Sequence, residues 1–313
     1  MITAEDKYFK AISVDEAMAA ALLHKGHSKF LAGGTDVMVN RFQGNETNTA
    51  FIDITGIEEL KRIREENGNL IIGPLVTLSQ LEKDPLIQKL IPALSTAAKS
   101  VGTPLIRKAA TIGGNVLCEN RCLYFNQSEW WREAVGYCLK CSGDICIATG
   151  GANACFSEFV SDTAPVLISY DCQLKIFDNE GKSKLVKLKD IYTGDGVKPR
   201  ALLNDELVTE LIIPLSPDRK CVFKKLRLRE SLEFTSLSTS VSVDNAGKIN
   251  IVLAGMDPKP VFVETDAKEE INILAKRVLK LCRAVDNDVF SRAYRRDMVK
   301  VFITNSYKEL GIL

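Results

Sequence analysis

Six of the nine cysteines in this chain fall between Cys118 and Cys155, a stretch that also holds both tryptophans. Thiols gathered in this way bind a metal, pair as disulfides, or are buried as small apolar residues. Soft thiolates select iron–sulfur clusters or zinc. The two histidines, His24 and His27, lie far upstream, so a metal here would be held by sulfur alone. Cys122, Cys138, Cys146 and Cys155 are separated by fifteen, seven and eight intervening residues. A zinc ribbon wants two close pairs, and this stretch has one, Cys138 with Cys141. A cubane iron–sulfur cluster tolerates scattered ligands because its four irons face four directions. Cys118 and Cys141 are then surplus, and either could replace a member of the set. The aromatics Tyr124, Phe125, Trp130, Trp131 and Tyr137 can pack a small inserted subdomain and also keep water from a cluster.

A second kind of chemistry is written in glycine. Lys29-Phe30-Leu31-Ala32 reads as a strand that breaks at Gly33-Gly34-Thr35-Asp36, and Thr111-Ile112-Gly113-Gly114-Asn115 repeats the theme. Glycine lets backbone approach a ligand, and neighbouring amides with a threonine hydroxyl can hold phosphate oxygens. One such loop is more often a plain turn. Two in one α/β region suit a ligand with two phosphates. Neither has the Gly-Lys-Ser/Thr ending of a nucleotide-triphosphate loop.

The elements that must carry these loops follow from periodicity. Residues 12–55 read as β–α–β, with a capping-box spacing at Ser13 and Glu16 and a helix stop at Gly26. Two strand-like runs flank Asn67-Gly68, a step that favours a tight hairpin. Thr77 and Gln80 repeat the capping spacing, Pro85 interrupts the helix they open, and Leu94, Ala97, Ala98 and Val101 form a later helical stripe. Beyond the cysteines the texture changes to strands at 172–177, 207–213, 221–228, 237–243 and 248–254. Turns at 178–181 and 244–247 punctuate them, and helices at 270–285 and 288–310 follow. Strands first and helices after predict an α+β chain. An N-terminal α/β ligand-binding region of two subdomains (1–175, with the cysteine insertion at 118–158) precedes a C-terminal antiparallel sheet with helices (176–313).

With 41 basic against 40 acidic residues the net charge is +1, and no basic stripe points to nucleic acid or an anionic membrane. The opening MITAEDKYFK mixes charges where a secretory signal would be apolar, and no window is apolar enough to span a bilayer. Free thiols without export fit a reducing cytoplasm.

These motifs, in this order, resemble the flavin-binding subunit of the xanthine dehydrogenase family of molybdenum hydroxylases. The resemblance is carried by Gly33–Asp36, Ile106-Arg107 leading into Thr111–Asn115, Asp162 with Ala164-Pro165, and the closing Ser291-Arg292-Ala293-Tyr294-Arg295-Arg296. Here 46 residues separate Asn115 from Asp162, where most members have a short loop. That insertion, through residues 121–132 and Gly143-Asp144-Ile145-Cys146, is closely similar to the β subunits of the 4-hydroxybenzoyl-CoA reductases. The resemblance implies FAD between the two N-terminal parts, covered by the second domain. Its pyrophosphate would meet Lys29, Phe30, Leu31, Ala32, Gly33, Gly34, Thr35 and Asp36 on one loop, and Thr111, Gly113, Gly114 and Asn115 on the other. Asp162 would contact the polar tail of the flavin, Leu207 would pack near its ring, and Lys224 would approach from the second domain. Thr163 departs from the small or apolar residue of many relatives. A 4Fe–4S cluster is implied on Cys122, Cys138, Cys146 and Cys155.

The partners implied are a molybdopterin-binding large subunit, a small subunit with two 2Fe–2S clusters, and ferredoxin as electron carrier. An electron-transfer subunit needs no nucleophile or acid–base pair of its own, and no Gly-x-Ser-x-Gly elbow is present. The competing classes are a stand-alone NAD(P)H-linked flavin reductase and a zinc-stapled binding module. The first lacks a Gly-x-Gly-x-x-Gly fingerprint and the second lacks paired zinc ligands.

Overall fold

The first glycine loop is reached through a small parallel sheet. In the computed structural model, which describes residues 6–178, 180–216 and 218–313, β1 (Lys7–Lys10), β2 (Ser28–Leu31) and β3 (Ala50–Asp53) lie in the order β1-β3-β2, all parallel. α1 (Val14–Leu23) makes the first crossover and α2 (Val37–Phe42) the second. Ser13 caps α1 by accepting from the Glu16 amide, while the Glu16 carboxylate accepts from the amide of Ile12 rather than closing the box on Ser13. Ala17, Met18 and Ala21 bury the inner face of α1 against Ile52, Ile54 and Leu75.

β4 (Ile63–Glu66) and β5 (Asn69–Ile72) form the expected hairpin, with Asn67 and Gly68 both at positive φ as its tight turn requires. Five short helices follow: α3 (Leu78–Lys83), α4 (Pro85–Leu90), α5 (Pro92–Lys99), α6 (Pro104–Ala109) and α7 (Ile112–Val116). The complete capping box of Thr77 and Gln80 opens α3. Prolines at the first position start α4, α5 and α6, where a missing N–H costs nothing. The cysteine segment contributes α8 (Glu129–Val135), and α9 (Thr163–Ser169), wholly buried, returns the chain to the core.

β6 (Gln173–Phe177), β7 (Ser183–Lys187) and β8 (Leu207–Pro214) then rejoin the hairpin in an antiparallel sheet of order β4-β5-β8-β6-β7. The boundary expected near residue 175 therefore falls inside β6 and would cut this sheet. The change of sheet comes between Pro214 and Lys220. From there β9 (Lys220–Leu226), β10 (Leu237–Val243), β11 (Lys248–Ala254) and β12 (Val261–Asp266) form an antiparallel meander. α10 (Ile271–Leu281) and α11 (Arg292–Leu310) cover it. In the turn expected at 178–181, Asn179 lies outside the described residues, as do Met1–Glu5 of the opening segment. Among the described residues no helix is long and apolar enough to cross a membrane.

The cysteine segment is stitched to the C-terminal part rather than hung from the surface. Asn120 Nδ2 donates to the carbonyls of Ser157 and Pro258, each at 2.9 Å. Asn287 Nδ2 donates to Phe156 O at 2.8 Å. Arg295 of α11, fully buried, pairs with Glu158 and donates to Gly255 O at 2.7 Å and Val285 O at 2.5 Å. Removing one member of a buried pair leaves an uncompensated charge. Arg295→Met is therefore expected to lower unfolding stability by about 3–5 kcal/mol in urea titrations. Adding Glu158→Gln should recover part of that loss, because the orphaned carboxylate is gone.

Candidate functional site

The first glycine loop rests on the residues that lead into the second. A Cβ on Gly33 would lie 1.8 Å from the Ala109 carbonyl oxygen, so the end of β2 rests directly on the end of α6. Gly34 continues at φ +70, and Phe30 and Ala32 pack onto the cluster of Ile54, Leu75 and Leu207 beneath. Leu207 is thus a core residue backing the first loop. Lys29 points to Glu46 at 3.7 Å, Leu31 packs close to Gly34, and Thr35 is exposed. On the second loop Thr111 caps α7 by accepting from the Gly114 amide at 3.1 Å. A Cβ at Gly113 would strike Pro74 at 2.6 Å, whereas one at Gly114 would meet nothing nearer than Thr111 Oγ1 at 3.2 Å. Gly113 is filled space, and Gly114 faces an opening.

Asn115 spends its carbonyl oxygen on Ser161 Oγ (2.9 Å), the Thr163 amide (3.2 Å) and Thr163 Oγ1 (2.6 Å). Thr163 therefore ties α9 to α7. Asp162 between them is buried, and its Oδ2 accepts from Lys225 Nζ at 2.6 Å. Its Oδ1 is buried and has no partner among the described residues. Burial raises this carboxyl despite the attraction of Lys225. Lys224, the expected neighbour, faces the other way and pairs with Glu309 of α11 at 2.5 Å. Adjacent strand residues point to opposite faces, so a shift of one residue exchanges the two lysines. Lys225 also donates to the carbonyls of Ser100 and Glu233, at 3.1 Å each, and joins the C-terminal sheet to the loop region.

Asp36 does not cap α2. It accepts from the Glu119 amide at 3.0 Å and pairs with Arg121, whose guanidinium lies 4.7 Å from the Phe234 ring centre. The first glycine loop is thereby fastened to the start of the cysteine segment. Arg132, almost fully buried, adds Asn45 Oδ1 and Gln43 O, both at 2.6 Å.

Cys122, Cys138, Cys146 and Cys155 line one small, tight cavity, together with Tyr124, Phe125, Leu139, Lys140 and Ser157. Short bridges fold the chain around it, pairing Cys138 with Ile145 and Cys146 with Gly151. Cys118 is not in this wall. It lies near Arg200 and Asp36, and burial pushes its thiol up to about 12. Cys141 is also outside the lining, although its sulfur is 3.5 Å from that of Cys138. Burial pushes the Cys122 thiol up to about 11 and raises Cys155 too. Among the described residues no three His, Cys, Asp or Glu side chains converge on a point that could hold a single metal ion. Glu119 is pushed up by burial, but Lys140 and Arg200 more than cancel that and hold it at about 2.

Local sequence pattern marks none of Arg121, Arg132, Glu119, Arg200 and Lys225 as a tethering residue of the site. The available signal was local: three of them are charged residues inside an aromatic, cysteine-rich run, where a solvated face is the default assumption. Nothing in the spacing marks Arg200 or Lys225.

Residues 3–216 match the model of the FAD binding domain in molybdopterin dehydrogenase. The chain is 29% identical over 245 residues to the aldehyde oxidoreductase FAD-binding subunit PaoB of Escherichia coli, spanning 76% of this chain and 77% of that one. It is 30% identical over 249 residues to the nicotinate dehydrogenase FAD-subunit of Eubacterium barkeri, spanning 77% and 70% respectively. In fold it is similar to a chain in a solved structure of carbon monoxide dehydrogenase from Hydrogenophaga pseudoflava, with a TM-score of 0.75, 20% identity and 98% of both chains covered.

The two neighbouring lysines make a direct test of register. Lys225→Met strands the buried Asp162 charge and should cost about 3–5 kcal/mol in urea unfolding. Lys224→Met breaks a pair open to solvent and should cost less than about 1 kcal/mol. A larger loss for Lys224→Met would reverse the assignment of the two faces.

Proposed function

This chain belongs to the family of FAD-binding domains of molybdopterin dehydrogenases, and from that footing we propose that it is the electron-transfer subunit, carrying FAD and a 4Fe–4S cluster, of a molybdenum-dependent oxidoreductase of the 4-hydroxybenzoyl-CoA reductase type. The observation that carries the reading is the shared cavity of Cys122, Cys138, Cys146 and Cys155, in an insertion anchored to the glycine loops. A cubane offers its four irons at separate corners, so its thiolates surround it instead of converging on a point. The absence of a convergent single-ion site is compatible with that geometry. The donor set is soft and sulfur-only, as such clusters require. Burial raises the Cys122 and Cys155 thiols, and a multiply charged metal centre is what would hold them as thiolates.

For the flavin, the open face of Gly114 offers backbone to a pyrophosphate, and Gly33 holds the opposing loop against α6. The unpartnered Asp162 Oδ1 is an acceptor for a hydroxyl of the ribityl chain. Lys225 keeps Asp162 oriented from the C-terminal sheet. When bound, the flavin and cluster supply the redox chemistry, and the chain sets distance, water access and local charge. Substrate would sit on a molybdopterin-binding large subunit. A small subunit with two 2Fe–2S clusters would link it to this one, and ferredoxin would deliver electrons. The names of the Escherichia coli and Eubacterium barkeri relatives favour a second reading, the flavin subunit of an aldehyde or N-heterocycle dehydrogenase. Iron separates the two.

Anaerobically purified protein is expected to contain about four iron per chain with matching sulfide, and a paramagnetic signal after dithionite reduction. Serine at Cys122, Cys138, Cys146 or Cys155 should abolish both while FAD stays bound. Alanine at Cys118 or Cys141 should abolish neither. Zinc in place of iron would end this reading.

Gly114→Val tests the flavin loop. Its side chain would occupy the exposed side of the turn at the cost of a small shift of Thr111 Oγ1, 3.2 Å from the added Cβ, so FAD retention should weaken at least about tenfold, or about 1.4 kcal/mol. Stoichiometric FAD in the purified variant would rule out this placement of the pyrophosphate.

A further inference from the structure

The cysteine cavity has a lysine in its wall. Lys140 is nearly inaccessible, with its side chain 4% exposed. Its Nζ donates to Glu119 Oε1 at 2.6 Å and to the Gly196 carbonyl, and stands 3.5 Å from Ser157 Oγ. It also lies 5.1 Å from the centre of the Phe125 ring. Lys140, Phe125 and Ser157 line the same cavity as the four cysteines, and Cys155 Sγ is 3.4 Å from Ser157 Oγ. On the far side Glu119 Oε2 meets Arg200 Nη2 at 2.7 Å, and Arg200 Nη1 donates to Cys118 O, also at 2.7 Å. Lys140 and Arg200 against the lone Glu119 leave one positive charge in excess. The adjoining Asp36–Arg121 pair is neutral in sum.

Resting on the reading of this cavity as the cluster site, we propose that Lys140 is a potential-setting residue, whose buried ammonium raises the reduction potential of the cluster, with Glu119 tempering it. Uptake of one electron from a reductant adds one negative charge to the cavity and needs no proton. A fixed cation in a low-dielectric wall favours that charge far more than one in water would. Packing alone does not account for a lysine here, because an apolar side chain of similar length would fill the space without the cost of desolvating an ammonium. Glu119 also reaches toward the flavin region, since its amide holds Asp36 at the first glycine loop. The charge beside the cavity and the loop geometry thus share one residue.

The test is a potentiometric titration of the full chain, purified anaerobically, followed by electron paramagnetic resonance of the reduced cluster. Wild type is compared with Lys140→Met, Lys140→Arg and Glu119→Gln, and the FAD-to-protein ratio reports folding. Lys140→Met should shift the midpoint to a more negative value, with the ratio of reduced to oxidised cluster at least tenfold lower at the wild-type midpoint. Lys140→Arg should stay near wild type, and Glu119→Gln should move to a more positive value. A loaded Lys140→Met cluster at the wild-type midpoint overturns the proposal, as does a Lys140→Arg shift equal to that of Lys140→Met. Should Lys140→Met fail to assemble a cluster, an unshifted Glu119→Gln overturns it instead. A wild-type protein without iron is a different failure, that of the cluster reading itself, and it is visible before any variant is made.

Discussion

Gly33 has no room for a side chain, and much of the architecture follows from that closeness. The parallel β1–β3 layer and the α3–α7 region are distinct packing units, with separate cores around Ile52 and around Leu94. They touch where the chain just past β2 lies on the Ala109 carbonyl, which sets the first glycine turn beside the residues that lead into the second. From that point two charged tethers run outward. Asp36 reaches Arg121 and Glu119 of the cysteine segment, and Asp162 reaches Lys225 of the C-terminal sheet. Buried pairs of this sort add little net stability, yet they penalise any arrangement that separates them. They act as orientation devices for three pieces that hydrophobic packing alone would leave free to slide.

The cysteine segment shows the same economy. It has little regular structure, only α8 and a 3₁₀ turn at Leu139–Cys141, and few aliphatic residues to bury. Its rigidity comes from Asn120, Arg132, Asn287 and Arg295 donating to backbone carbonyls on both sides. A cavity whose walls are pinned in this way can hold four sulfurs apart before anything binds between them, which lowers the ordering cost of binding.

How far the sequence could be read depended on range. Features set by neighbours in the chain were legible: the Asn67-Gly68 hairpin, the Thr77–Gln80 capping box, and the glycine turns. So was the likeness to molybdenum-enzyme flavin subunits, because its motifs are short and ordered. Features set by distant partners were not. The return of β8 between β5 and β6 places residues 173–214 with the N-terminal part, and no local pattern announces such a pairing. The choice between Lys224 and Lys225 hinged on strand register, where one residue reverses the face. The first strand, Lys7–Lys10, was missed because lysines at both ends mask its two aromatic residues. Glu16 followed the expected spacing and then reached Ile12 instead of Ser13, a detail of side-chain geometry below the resolution of any pattern.

The pairing of β5 with β8 has a consequence for how the chain comes into being. Asn69 finds its partner only at Pro214, so this five-stranded sheet stays unfinished until the ribosome has passed that point. Contacts of such high sequence separation form slowly and leave strand edges open meanwhile. All six clustered cysteines emerge during this interval, before the Arg295 that locks their segment has been made. For a newborn chain the hazard is premature oxidation or adventitious metal capture while these thiols are still accessible. Assembly of the finished protein is therefore expected to be more sensitive to oxygen and free zinc during synthesis than after the C-terminal helix has docked.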